Sequence, residues 1–90
     1  MRVDAVRPNP FRSGTSIEFT LPGTTDARLS IYDVSGRMVR ELLRGPLESG
    51  PHSIQWDGLD ETGARTAAGV YMIRLSGAGA KDVRRIVQVR

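Results

Sequence analysis

The sequence predicts an all-β sandwich, on two observations: apolar residues recur at every second position in several short runs, and glycine or proline punctuates the chain between those runs. Ser16-Ile-Glu-Phe-Thr-Leu21 alternates strictly, placing Ile17, Phe19 and Leu21 on one face of a half-buried strand that stops at Pro22-Gly23. The same period places Leu29 and Ile31 inward in Arg28–Tyr32, Ile54 and Trp56 in Ser53–Trp56, and Tyr71, Ile73 and Leu75 in the run that contains Met72 and Arg74. Near the end, Val87 and Val89 are expected to point inward between Ile86 and Gln88. An opening strand is expected around Arg2–Val6, ended by Pro8-Asn9-Pro10, with Asn9 held in an extended entry between the two prolines.

Asp33-Val-Ser-Gly36 is a turn signal, because the aspartate can accept hydrogen bonds from the backbone just after it and glycine takes a positive φ at no steric cost. Arg37–Leu43, which follows, has a spacing that would also suit a helix. It is too short to persist alone and lacks a cap, so Met38–Leu43 is read as a strand. Gly45, Gly50, Gly58, Gly63 and Gly69, with Pro46 and Pro51, separate the remaining strands at short intervals. About seven antiparallel strands result, which makes the sandwich immunoglobulin-like. The expected core is Ile17, Phe19, Leu29, Ile31, Val39, Leu42, Ile54, Trp56, Tyr71, Ile73, Leu75 and Val87, with Trp56 its largest member.

Ninety residues with 39% hydrophobic content fit a single domain spanning residues 1–90. The absence of cysteine excludes disulfides, thiolate metal sites and thiol nucleophiles. No apolar run has the length of a membrane span, and Met1–Pro8 lacks the apolar segment of a signal peptide. The net charge of +3 raises the question of nucleic acid. Arg2, Arg12, Arg28, Arg40, Arg65 and Arg74 are nevertheless dispersed among Asp4, Glu18, Asp26, Glu41 and Asp82, the pattern of a mixed solvated surface, and no nucleic-acid partner is expected.

Chemistry is sparse. His52 is the only histidine, and Ser53 beside it points to the opposite face, so the two cannot act as nucleophile and base; His52 is expected as an exposed polar residue opening a strand. Asp57, Asp60 and Glu61 are the one concentration of hard oxygen ligands, a weak calcium candidate without the spacing of an EF-hand; aspartate with glycine is also what a tight turn uses, so a structural loop is expected over a metal site. No glycine-rich stretch has the lysine and serine of a phosphate loop. The expectation is a protein that is not an enzyme and needs no cofactor.

Four segments in order, Pro8-Asn-Pro-Phe11, Ile31-Tyr-Asp-Val-Ser-Gly-Arg37, Gly50-Pro-His-Ser-Ile-Gln-Trp-Asp-Gly58 and Gly69-Val-Tyr71, resemble the immunoglobulin-like domain of flagellar hook-capping (FlgD-like) proteins and the closely similar carboxy-terminal sorting domains of type IX (Por) secretion. The resemblance runs from about Pro8 to Arg90, and its fold-defining positions are Asn9, Pro10, Asp33, Gly36, Trp56, Asp57, Gly58, Gly63, Gly69 and Tyr71. It implies a non-catalytic domain excised from the carboxy terminus of a larger exported bacterial protein, recognised by a secretion translocon or other protein partner, and secreted or displayed at the cell surface by way of the periplasm. No membrane insertion is expected, and the isolated domain is expected to be a monomer. It also implies recognition through the last strand, with Arg84, Arg85, Val87, Val89 and Arg90 as candidates and an unpaired strand edge as a docking element. The other implied roles are an assembly module like the hook-cap domain and an adhesion or spacer domain beside a surface enzyme.

Overall fold

Alternating side chains give each run one apolar face, and the chain buries those faces by stacking two sheets. A computed structural model of the chain describes residues 1–89, so Arg90 lies outside the described residues. The strands are β1 (Arg2–Arg7), β2 (Thr15–Leu21), β3 (Thr25–Asp33), β4 (Met38–Leu47), β5 (Gly50–Trp56), β6 (Gly69–Gly77) and β7 (Ala80–Gln88). One sheet has the order β1-β2-β5 and the other β4-β3-β6-β7, with every neighbouring pair antiparallel. This is an immunoglobulin-like all-β sandwich. Because β4 stays with β3, the three-stranded sheet lacks the fourth strand that constant-type immunoglobulin domains carry beside the equivalent of β5.

Met38–Leu43 is strand, as the length and missing cap of this stretch required, and β4 continues to Leu47 through Pro46. Proline is tolerated there because β4 is an edge strand. The core comprises Val3, Phe11, Ile17, Phe19, Leu21, Ala27, Leu29, Ile31, Trp56, Tyr71, Ile73, Leu75 and Ile86, with Val39, Leu42 and Ile54 only partly buried against it. Trp56 is fully buried; its ring meets Phe11 at 5.2 Å and the edge of Tyr71 at 5.7 Å, and its indole N–H donates to the Leu59 carbonyl at 3.0 Å. The Tyr71 hydroxyl donates back to the Ala67 carbonyl at 2.5 Å, the tyrosine corner of such sandwiches.

The closing strand differs in phase from the expectation: Ile86 and Gln88 are buried and Val87 faces outward. The cause is the two-residue turn Ala78-Gly79, which pairs Gly77 with Ala80 and so sets Ile86 opposite the inward Tyr71. His52 also differs. It shares the inner side of β5 with Ile54 and Trp56, is half-buried, stacks on Phe19 at 5.2 Å and reaches the Glu48 carbonyl at 2.8 Å. Residues 8–10 bend instead of running extended, with cis bonds at Arg7-Pro8 and Asn9-Pro10.

Candidate interaction site

Arg84, Arg85, Val87 and Val89 lie on or just after β7, an edge of the four-stranded sheet, but they do not form one surface. Arg84 is in phase with the inward Ile86, and at the rim its guanidinium donates to the Val3 carbonyl at 2.7 Å, while Asp82 accepts from the Val3 amide at 2.7 Å. Two charged side chains on the core-facing side of β7 thus close the neighbouring edge of β1. Arg85 and Val87 face the other way, opposite Met72 and Val70 on the outer face of the sheet.

The free edge of β7, expected to carry unpaired backbone groups, is instead occupied. The Asn9 carboxamide donates to the Arg85 carbonyl at 3.3 Å and accepts from the Val87 amide at 3.0 Å. The Phe11 amide donates to the Val87 carbonyl at 2.9 Å, and the Phe11 carbonyl accepts from the Val89 amide at 2.8 Å. Docking by simple strand addition is blocked along this stretch. The Pro-Asn-Pro-Phe segment is therefore an edge seal, anchored by Phe11, which is 1% exposed against Trp56.

The acidic loop after β5 is built by hydrogen bonding. Asp57 Oδ1 accepts from the Leu59 amide and from Arg40, both at 3.0 Å, and Glu61 accepts from the Glu41 amide at 2.6 Å. Asp60 Oδ1 accepts from the Thr62 amide at 2.9 Å, the Thr62 hydroxyl at 2.6 Å and the Ala64 amide at 3.0 Å. Asp33 does the same in the β3–β4 turn, with the Ser35 amide at 2.9 Å, the Ser35 hydroxyl at 2.6 Å and the Arg37 amide at 3.1 Å. Gly36 and Gly63, with φ of 87° and 85°, complete two copies of one turn, Asp-x-Ser/Thr-Gly. The hydroxyl and then the amides hold both aspartates below the usual carboxylate range. Among the described residues no three His, Asp or Glu side chains gather as metal ligands.

Gly58 belongs to the core end of this loop. Its φ is 79°, and a Cβ there would meet Gln88 at 3.4 Å and Phe11 at 3.5 Å. Beside it the Thr66 hydroxyl donates to the Gly58 carbonyl at 2.8 Å and lies against the buried Gln88 carboxamide. Thr66 and Phe11 are invisible to alternation alone, because neither sits in a run with a clear period, and Gln88 reads as outward because it alternates with Val87 and Val89. Gly69, with φ of 149°, opens β6 two residues before Tyr71. A shallow apolar groove of about 440 Å³ lies on the outer face, lined by Tyr32, Val34, Met72, Arg74 and Val83.

A three-plus-four sandwich with a tyrosine corner and polar turns defines an immunoglobulin-like domain. The chain belongs to the FlgD Ig-like domain family, whose model matches residues 6–81. Among solved structures, dimeric latent PorU from Porphyromonas gingivalis is similar with a TM-score of 0.73 and 22% identity, over 94% of this chain and 9% of that one. PorZ, described as an essential bacterial surface component of the type IX secretion system of the same organism, gives a TM-score of 0.68 and 23% identity over 96% of this chain and 11% of that one. FlgD from Xanthomonas campestris, described in terms of hook capping essential for flagellar assembly, gives 0.66 and 26% identity over 94% and 62%. The chain thus spans about a tenth of the two Porphyromonas proteins and less than two thirds of that FlgD. No curated protein matches the sequence.

Proposed function

We propose that this domain is a non-catalytic, carboxy-terminal sorting module that directs an exported bacterial protein through a type IX secretion system to the cell surface. The observation that carries the reading is the likeness of nearly the whole chain to a part of PorU and of PorZ, two large proteins of which this domain is only a small fraction. The outer face of β7 adds support: it offers exposed Lys81 and Arg85 beside Val83 and the half-buried Val87, with the strand's backbone edge already occupied, so a translocon would read side chains there. The partner is a protein of the secretion machinery, the site of action is the surface reached through the periplasm, and the isolated domain works as a monomer without nucleic acid or membrane insertion.

An export assay tests this. The domain is fused after a signal peptide and a fluorescent reporter in a bacterium with a type IX system, beside a translocon mutant. Reporter at the surface or in the medium of the competent strain alone is expected. Reporter retained in the periplasm of both strains, with the domain folded, discards the sorting reading. The second reading, an assembly module of the hook-cap kind, is favoured by the family model and by the 26% identity to the Xanthomonas protein. It predicts self-association or binding to hook protein, which a sorting module does not require.

A further inference from the structure

The two sheets have four edges, and hydrogen bonds from outside each sheet's own ladders reach three of them. β1 is reached by Asp82 and Arg84, β7 by Asn9 and Phe11, and β4 by Glu61, which bonds the Val39 carbonyl through its amide at 3.1 Å and the Glu41 amide through its carboxylate. Among the described residues no such bond reaches the backbone of β5 on the side away from β2. Alternate residues of an edge strand present bare N–H and C=O groups, and edges are ordinarily protected by charges, bulges or cover. β1 has one bulge and β4 two, whereas β5 pairs with β2 without a shift from Trp56 to Gly50. Gly50-Pro-His-Ser-Ile-Gln-Trp56 also contains no acidic or lysine or arginine side chain. Pro51 lies at its start, leaving the stretch from His52 to Trp56 open.

The side of the sandwich next to this edge is also its less finished side. On the opposite side β1 and β7 are tied together through Val3. On the β5 side, which the other sheet borders with β4, Ile54, Leu42, Leu43 and Leu47 are packed on the core yet only partly buried. We infer that β5 is a docking edge that accepts one extended segment of a partner protein, alternately apolar and polar, as the fourth strand of the three-stranded sheet. Its backbone would satisfy the bare groups of His52–Trp56, its apolar positions would cover the rim formed by Ile54 and the β4 leucines, and its polar positions would lie beside the exposed Ser53 and Gln55. A second copy of β5 fits less well, since its inner side offers only Ile54 between His52 and the already buried Trp56. Constant-type immunoglobulin sheets carry a strand in this place, so the geometry admits one. The inference stands apart from the export role and applies equally to a sorting or an assembly module.

The test uses the 90-residue chain, labelled with ¹⁵N, and a soluble peptide of eight alternating valines and threonines with a lysine at each end. Amide shifts concentrated in His52–Trp56, with hydrogen exchange of alternate amides there slowed by about tenfold or more at saturation, are expected. The same peptide N-methylated at every second residue should lose binding at least about tenfold, because it cannot complete the ladder. No shift in β5 at about 5 mM peptide overturns the inference. So do equal binding of the methylated peptide, shifts confined to β7 or the outer face, or protection of the same amides that grows with protein concentration without peptide, which would make the occupant a second copy.

Discussion

The two edges of the four-stranded sheet are closed by different devices. At β7, four backbone groups between Arg85 and Val89 are taken up by Asn9 and Phe11, and the sealing segment is pinned by a ring buried against Trp56. At β4, the cover reaches Val39 and Glu41, and it comes from a loop whose shape depends on one exposed turn around Asp60. A seal anchored in the core is coupled to global stability, whereas a seal anchored in a surface turn can open locally.

Substitutions separate the two. Phe11→Ala removes the pin and a share of the core, and is expected to cost about 3–5 kcal/mol in denaturant unfolding, as Trp56→Ala is. Losses under about 1 kcal/mol would place those rings outside the cooperative core. Asn9→Ala leaves the ring but unpairs the Arg85 carbonyl and the Val87 amide at a solvent-exposed edge, and about 0.5–1.5 kcal/mol is expected, with faster exchange of the Val87 amide. Asp60→Ala should act more locally: exchange of the Glu41 amide accelerates while that of Val87 stays within about twofold. Asp33→Ala, in the twin turn that covers no edge, should leave both amides unchanged.

Acid provides a second handle on the same contrast. Asp33 and Asp60 are held below the usual carboxylate range in the fold, so their contribution is fully present above the unfolded value of about 4 and is lost as pH falls through the depressed folded value. The melting temperature should therefore drop between about pH 5 and pH 2, with a smaller drop in the Asp33→Asn/Asp60→Asn double variant. An unchanged drop would assign acid sensitivity elsewhere, with Asp4, whose carboxyl is lowered by the Thr20 hydroxyl and Arg2, the next group to replace. The smallest effect concerns neither edge. Ala78 has a φ of 49° in the β6–β7 turn, a left-handed conformation that asparagine accepts more readily, so Ala78→Asn is expected to stabilise by up to about 1 kcal/mol.

The strands were legible because Ile17, Phe19, Leu29, Ile31, Ile73 and Leu75 repeat at every second position, which only a pleated chain with one buried face requires. β7 was misread for the same physical reason in reverse. Its inner positions hold Asp82 and Arg84 before Ile86, so the alternation breaks where the strand serves as a rim, and only the turn Ala78-Gly79 fixes its phase. The turn at Asp33 is legible from its residues, and so is the tight turn at Asp60, whose Asp-x-Ser/Thr-Gly signature is the same. The seals of β1 and β7 join residues separated by some eighty positions, and no local pattern encodes where a side chain will meet a distant backbone.

Those long separations bear on the order of events during synthesis. Val3 is joined to Asp82 and Arg84, Asn9 to Arg85 and Val87, and Phe11 to Val87 and Val89, so the bonds that close these two edges wait for the last strand, although β1 can already pair with β2. Emergence from the ribosome in sequence order leaves the outer edge of β1 and the Pro-Asn-Pro-Phe segment without these bonds until β7 has been made. The sandwich thus closes two of its edges last, and any intermediate that lacks β7 exposes the outer edge of β1 together with the unpinned Phe11 ring.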